Sequence, residues 1–141
     1  MFDPWYRPVM DTSARPGAPI LIVDDFEDAL EIYRDYLTFK GFRVLVASSG
    51  EDAIAIALRE RPSLIFMDLR MPKMTGVQAM RILRCDPGFA KVPIVAFTAH
   101  ALEDERVAAL AEGFDDVLAK PCNPDDLIAA VLRLLSRANQ G

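Results

Sequence analysis

Cysteine is scarce in this chain. Cys85 and Cys122 are the only two, and neither has a neighbour at metal-ligand spacing. That argues against a thiolate metal centre and against a secreted disulfide framework, although a single bridge between the two thiols stays open. Lone thiols in an acidic domain suit a reducing cytosol, so the expected location is cytoplasmic. Long apolar runs are missing as well. Nothing approaches the roughly 20 residues of a membrane span, and no membrane insertion is expected. The N-terminus carries Asp3, Pro4 and Pro8 and lacks the apolar stretch of a secretory signal. Basic residues are outnumbered, 16 Lys and Arg against 21 Asp and Glu, giving a net charge of -5 and a pI near 4.8. Without a basic stripe, nucleic acid is not the expected partner. Histidine occurs once, at His100. No internal repeat or low-complexity block is visible.

What the chain does have is a core and a rhythm. Its 141 residues are 52% hydrophobic and 26% charged, enough for one globular domain without staples. Residues 1–17 hold Pro4, Pro8, Pro16 and Gly17 and read as a flexible extension. Phe2, Trp5 and Tyr6 give that extension a second reading, an aromatic cluster that docks on a groove. Residues 18–138 form the domain, and 139–141 a tail. Strands are expected at Ile20 to Val23, Arg43 to Ala47, Leu64 to Met67, Val92 to Phe97 and Asp116 to Ala119. Helices are expected at Phe26 to Lys40, Gly50 to Arg61, Thr75 to Cys85, Ala101 to Glu112 and Pro124 to Arg137. Ala29, Tyr33, Tyr36 and Leu37 share the inner face of the first helix; Val77, Met80 and Leu83 that of the third. Leu127, Ile128, Val131, Leu132 and Leu135 share that of the last. Strand alternating with helix five times predicts an α/β fold, a doubly wound five-stranded parallel sheet with five helices.

The carboxyl ends of such strands are where open α/β sheets bind ligands. The first strand ends in Asp24 and Asp25, the third in Asp68, the fourth in Thr98 and the fifth in Lys120. The strand order 2-1-3-4-5 is taken over from known sheets of this kind. It makes the first and third strands neighbours and gathers three carboxylates into one crevice. Like charges so close raise one another's pKa, so positive charge must be present. Lys120 supplies one charge, and a hard divalent cation held by carboxylates suits the rest, Mg²⁺ above all. Such a set stabilises charge on a transferring phosphoryl group.

At this point the chain resembles the receiver domain of two-component response regulators, with the stand-alone, chemotaxis-type members nearest. The residues that carry the resemblance are Ile20-Leu21-Ile22-Val23-Asp24-Asp25-Phe26, Phe66-Met67-Asp68-Leu69-Arg70-Met71-Pro72, Phe97-Thr98-Ala99 and Ala119-Lys120-Pro121. Each motif is weak alone. Together, in order and at strand ends, they are specific. Chemotaxis receivers are among the known examples of the 2-1-3-4-5, flavodoxin-like order, so that order comes with the resemblance. The resemblance implies that Asp68 is the phosphoacceptor, that Asp25 binds Mg²⁺ directly, and that Asp24 helps hold it through water. It implies a further metal ligand in the backbone carbonyl of Arg70. Thr98 would bond a phosphoryl oxygen, and Lys120 would bridge Asp68 and the phosphoryl group. The Lys120–Pro121 bond would be cis. The donor would be a phosphohistidine on a histidine kinase or histidine phosphotransfer protein, and the output a conformational change read by a downstream protein. The domain would be no enzyme beyond its own phosphorylation and dephosphorylation. It would act as a monomer or as a weak, phosphorylation-dependent dimer.

One position departs from the family pattern. The family usually has an aromatic residue three before the lysine, where this chain has Val117. Valine cannot report the switch as a ring does, so the signal is expected to run through the loop after Thr98 or the helix from Ala101. Arg70 and His100 each lie two residues past a site residue. They read as solvated loop side chains, or as groups that shape water access to the acyl phosphate. Met71, Met74 and Met80 read as core filling, Cys85 and Cys122 as structural, and Arg133 and Arg137 as complements to the last helix dipole. Three rivals remain at this stage: a non-phosphorylated docking receiver, an aspartate-nucleophile phosphohydrolase, and a DNA-binding regulator. The intact acid set opposes the first. The absence of an Asp-x-Asp step after the first strand opposes the second, and the lack of a basic recognition module opposes the third.

Overall fold

The computed structural model describes residues 18–99, 101–120 and 122–140, the side chains of 138–140 excepted. The readings of the N-terminal extension with Phe2, Trp5 and Tyr6, of His100, and of the Lys120–Pro121 bond lie outside these residues.

Five strands and five helices alternate along the chain: β1 (Ile20–Val23), α1 (Glu27–Phe39), β2 (Val44–Ala47), α2 (Gly50–Glu60), β3 (Leu64–Met67), α3 (Gly76–Arg84), β4 (Ile94–Thr98), α4 (Glu103–Glu112), β5 (Asp116–Ala119) and α5 (Pro124–Gln140). Every pairing is parallel and the order is β2-β1-β3-β4-β5, the flavodoxin-like receiver order. Period-2 alternation divides the core into two layers. Ile20, Ile22, Leu64, Phe66, Val95 and Phe97 face α1 and α5, while Leu21, Val23, Ile65, Met67, Ile94 and Ala96 face α2, α3 and α4. All four residues of β3 are buried, as expected of a strand covered on both sides.

Several boundaries and faces differ from the sequence reading. Strand β4 starts at Ile94 rather than Val92. Pro93 has no N–H to give a ladder, and the Ile94 N–H goes to Asp115 Oδ2 at 2.8 Å. Helix α4 starts at Glu103, because Leu102 is still extended. The turn at Asp86 is a short 3₁₀ segment, Pro87–Phe89, capped by the Asp86 carboxylate. On α1 the buried anchors are Leu30, Tyr33 and Leu37, and Ala29 is only partly covered. On α5 the inward set is Leu127, Ala130, Val131, Leu134 and Leu135, whereas Leu132 is exposed. Gly41, at φ 93, ends α1 as expected. Ser49 caps α2 through the Asp52 N–H, and Asn123 Oδ1 accepts from the Asp126 N–H at the start of α5.

Polar ties hold the far layer. The Arg84 guanidinium donates to the carbonyls of Phe89 (2.6 Å) and Val92 (2.8 Å) and to Asp115 Oδ2 (2.6 Å), joining α3 to the loops before β4 and β5. Arg133 reaches Asp116 Oδ2 at 2.7 Å, so it serves β5 rather than only the helix dipole. Cys85 and Cys122 are free thiols, Cys85 exposed and Cys122 half-buried, which closes the bridge left open above.

Candidate functional site

Strand register builds the site. β1 and β3 pair with Val23 opposite Met67, and the Asp68 N–H donates to the Val23 carbonyl at 3.0 Å. Asp24 and Asp68 therefore leave the sheet side by side. β4 and β5 pair with Thr98 opposite Ala119, and the Lys120 N–H donates to the Thr98 carbonyl at 2.9 Å. Lys120 thus leaves β5 level with Thr98 and turns back toward the two acids. Its Nζ lies 2.5 Å from Asp24 Oδ2 and 3.7 Å from Asp68 Oδ2, and 5.6 Å from the centre of the Phe97 ring. The ring backs the ammonium from the core side.

The acids differ in setting. Asp24 and Asp68 are buried, and Asp25 is exposed. Asp24 is already engaged at both oxygens, Oδ2 by Lys120 and Oδ1 by the Phe26 N–H at 2.9 Å. That second bond also serves the start of α1, where Phe26 offers no side-chain cap. Asp68 Oδ1 accepts from the Arg70 N–H at 3.2 Å. Burial pushes the Asp68 carboxyl up to about 6; Lys120 and the Arg70 N–H oppose that, and Asp24 and Asp25 add to it. Thr98 is buried at the end of β4.

Asp24, Asp25 and Asp68 each offer a carboxylate oxygen, all within 4.8 Å of one another. Such an all-oxygen, high-charge set with one open side matches a hard divalent cation and not a soft one. The elevated Asp68 pKa is chiefly the cost of burying its charge, and a cation bound beside it would offset that cost and hold the carboxylate ionised.

Sequence reasoning named these residues and missed what holds the loop between them. Gly76 opens α3 directly behind Asp68, its N–H donating to the Leu69 carbonyl at 3.1 Å. A Cβ there would lie 2.1 Å from the Asp68 carbonyl oxygen. Only the Thr75-Gly76 step in the sequence hinted at this. Thr75 itself forms a capping box with Gln78. Gly76→Ala is expected to cost about 2–4 kcal/mol, because the backbone carrying the site must shift. A urea melt checks this, and a loss below about 0.5 kcal/mol, the range of a bland surface change, would contradict it.

Residues 20–132 match the response regulator receiver domain. The chain belongs to the response regulator receiver domain family. A curated relative from Leptolyngbya boryana, an uncharacterized 14.6 kDa protein in the sodA1 3' region, is 39% identical over 112 residues, covering 79% of this chain and 86% of the relative. The transcriptional regulatory protein GltR of Pseudomonas aeruginosa is 37% identical over 122 residues, covering 86% of this chain but only 50% of its own length. Among solved structures, the chemotaxis protein CheY4 of Vibrio cholerae superposes with a TM-score of 0.79 at 29% identity, covering 83% of this chain and 98% of that one. The chain spans about half the length of the transcriptional regulators it matches. Receivers with a chemotaxis name and receivers in transcriptional regulators are both similar to it. The family is therefore assigned as receiver domain, not as its chemotaxis branch. A receiver's catalysis is confined to its own phosphorylation and dephosphorylation, and the Asp24, Asp25 and Asp68 cluster is consistent with a phosphoaccepting, Mg²⁺-binding site. No described helix is long and apolar enough to cross a membrane.

Proposed function

We propose that Asp68 is the phosphoacceptor of this receiver, with Mg²⁺ as its cofactor. The donor is a phosphohistidine on a histidine kinase or histidine phosphotransfer protein. The observation that carries the reading is the convergence of three carboxylate oxygens within 4.8 Å, with the Lys120 ammonium against two of those acids. A carboxylate oxygen of Asp68 attacks phosphorus in line. A P–O bond forms, the P–N bond breaks, and the imidazole nitrogen leaves with the electron pair. Above about pH 6 Asp68 is mostly ionised and fit for this attack. Water later attacks the same phosphorus, releasing phosphate and restoring the carboxylate.

The roles divide by position. Asp25, exposed at the rim, is a direct ligand for Mg²⁺. Asp24, engaged by Lys120 and Phe26, acts through water. The Arg70 carbonyl completes the protein's share. When bound, Mg²⁺ neutralises charge on the transferring phosphoryl oxygens. Lys120 shifts from Asp24 toward the new phosphoryl charge, and the Thr98 hydroxyl donates to one of its oxygens. The phosphorylated domain signals to a downstream protein in the cytoplasm, acting alone as chemotaxis receivers do, as a monomer or weak phosphorylation-dependent dimer.

Incubation with acetyl phosphate tests this. Phosphoryl incorporation is expected with Mg²⁺, and none with EDTA or in Asp68→Ala. Labelling that persists in Asp68→Ala would contradict the assignment.

A further inference from the structure

Helix α4 is lightly anchored. Ala109 is its only buried residue and Leu102 supplies no side-chain cap, although Glu103, Asp104 and Glu105 in the first turn suit the helix dipole. Its far end is held to α3 by the Arg81–Glu112 pair, and two adjacent side chains tie down its first half. The Arg106 guanidinium donates to the Val117 carbonyl at 3.0 Å, holding α4 to β5. Glu105 Oε2 lies 3.6 Å from Arg70 Nη2, holding α4 to the loop after β3. Arg70 is the residue whose backbone N–H already bonds Asp68 Oδ1 at 3.2 Å. One residue therefore touches the carboxylate of Asp68 with its backbone and α4 with its side chain.

We propose that the Arg70–Glu105 pair is a tether released by phosphorylation. The phosphoryl group on Asp68 draws the Arg70 guanidinium to itself and frees Glu105 and the first turn of α4. This rests on Asp68 being the phosphoacceptor.

The chemistry favours the exchange. The Arg70 and Glu105 side chains are 67% and 33% exposed, and ion pairs so open to water are weak. A phosphoryl group brings nearly two negative charges and three strong acceptor oxygens, and a guanidinium binds it in a two-pronged fork. Lys120 meets the phosphoryl group from the Oδ2 side of Asp68, which leaves the Oδ1 side, where the Arg70 N–H already bonds, to the guanidinium. Once Glu105 is released, the first turn of α4 loses its tie to the loop after β3, while Arg106 still pins the helix to β5. The motion is then a loosening of one end of α4. The Val117 side chain, buried in the layer beneath α4, has no polar atom with which to carry the message instead.

Amide hydrogen exchange across Glu103–Glu112, with and without acetyl phosphate and Mg²⁺, tests the tether. In that reaction Asp68 takes the phosphoryl group and acetate leaves with the electron pair, so no further reactant is needed. In the wild type, phosphorylation is expected to speed exchange in the first turn of α4 about two- to fivefold, the weight of an exposed ion pair. In Glu105→Gln, exchange should already be fast before labelling and change less than 1.5-fold (about 0.2 kcal/mol) after it, while labelling itself is kept. Glu103→Gln, which removes a charge from the same turn, should respond as wild type does. A labelled wild type whose α4 exchange is unchanged, or a Glu105→Gln that responds like wild type, overturns the tether alone. A wild type that takes no label overturns the phosphoacceptor reading and the tether with it.

Discussion

Lys120→Ala is expected to slow phosphoryl transfer from acetyl phosphate to Asp68 by about 10²- to 10³-fold, the loss typical of removing one preorganised donor from developing oxyanion charge. The ammonium stands where that charge grows, 3.7 Å from Asp68 Oδ2, with the Phe97 ring behind it. It is poised rather than spent: its shorter contact is to Asp24, at 2.5 Å, and Asp24 is the carboxylate that bound Mg²⁺ would compensate in its place. Its contribution therefore rises from ground state to transition state, which is the condition for a rate effect rather than a binding effect. Quenched time courses at saturating acetyl phosphate and Mg²⁺ measure it. Lys120→Arg should recover only part of the rate, since a planar fork does not occupy the place of a point charge wedged between two acids. A Lys120→Ala rate within threefold of wild type would contradict this role.

The second large effect is on stability and runs against the usual carboxylate. With the Asp68 pKa raised from 3.8 to about 6, the folded state holds a proton that the unfolded chain has already lost between those values. Its contribution to stability is therefore fully present below about pH 4 and lost as pH rises through about 6. The loss totals about 3 kcal/mol at about 1.4 kcal/mol per pH unit. Asp68→Asn has no such proton to lose. In EDTA, the stability of wild type relative to Asp68→Asn should fall across that window and then stay flat, leaving the variant the more stable at pH 7.5. Added Mg²⁺ should narrow the gap by stabilising the wild-type site, with its third carboxylate, more than the variant's. Urea melts at pH 4, 5, 6 and 7.5 read the difference. A gap that is flat, or that opens in the opposite direction, would remove burial as the dominant influence on Asp68.

Much of this was legible in the residues because it depends on local pattern. β1, β3 and β5 end where their apolar runs meet Asp24, Asp68 and Lys120, and those ends carry the site. Ser49, Thr75 and Asn123 cap their helices through short side-chain bonds that sequence spacing can encode. The late start of β4 has its cause in tertiary context. Ile94 takes its N–H to Asp115, a residue from another loop, so β4 starts late. Leu132 and Leu134 are equally apolar, but the helical period sets Leu134 in line with Leu127 and Val131, in the layer that holds Phe66 and Val95, and turns Leu132 outward. The Arg84 ties, the Gly76 approach to Asp68 and the Arg70–Glu105 pair join residues whose contact no periodicity announces.

The central claim is that acids from two strands and a lysine from a third make one phosphoaccepting pocket with Asp68 as its nucleophile. Borohydride reduction of the acetyl-phosphate-treated protein, followed by peptide mass mapping, tests it most directly, because an acyl phosphate is reduced to the alcohol and marks its own position. The account predicts homoserine at residue 68, formed with Mg²⁺ and absent with EDTA. Homoserine at Asp24 or Asp25 instead, or label at position 68 that ignores the metal, would contradict it.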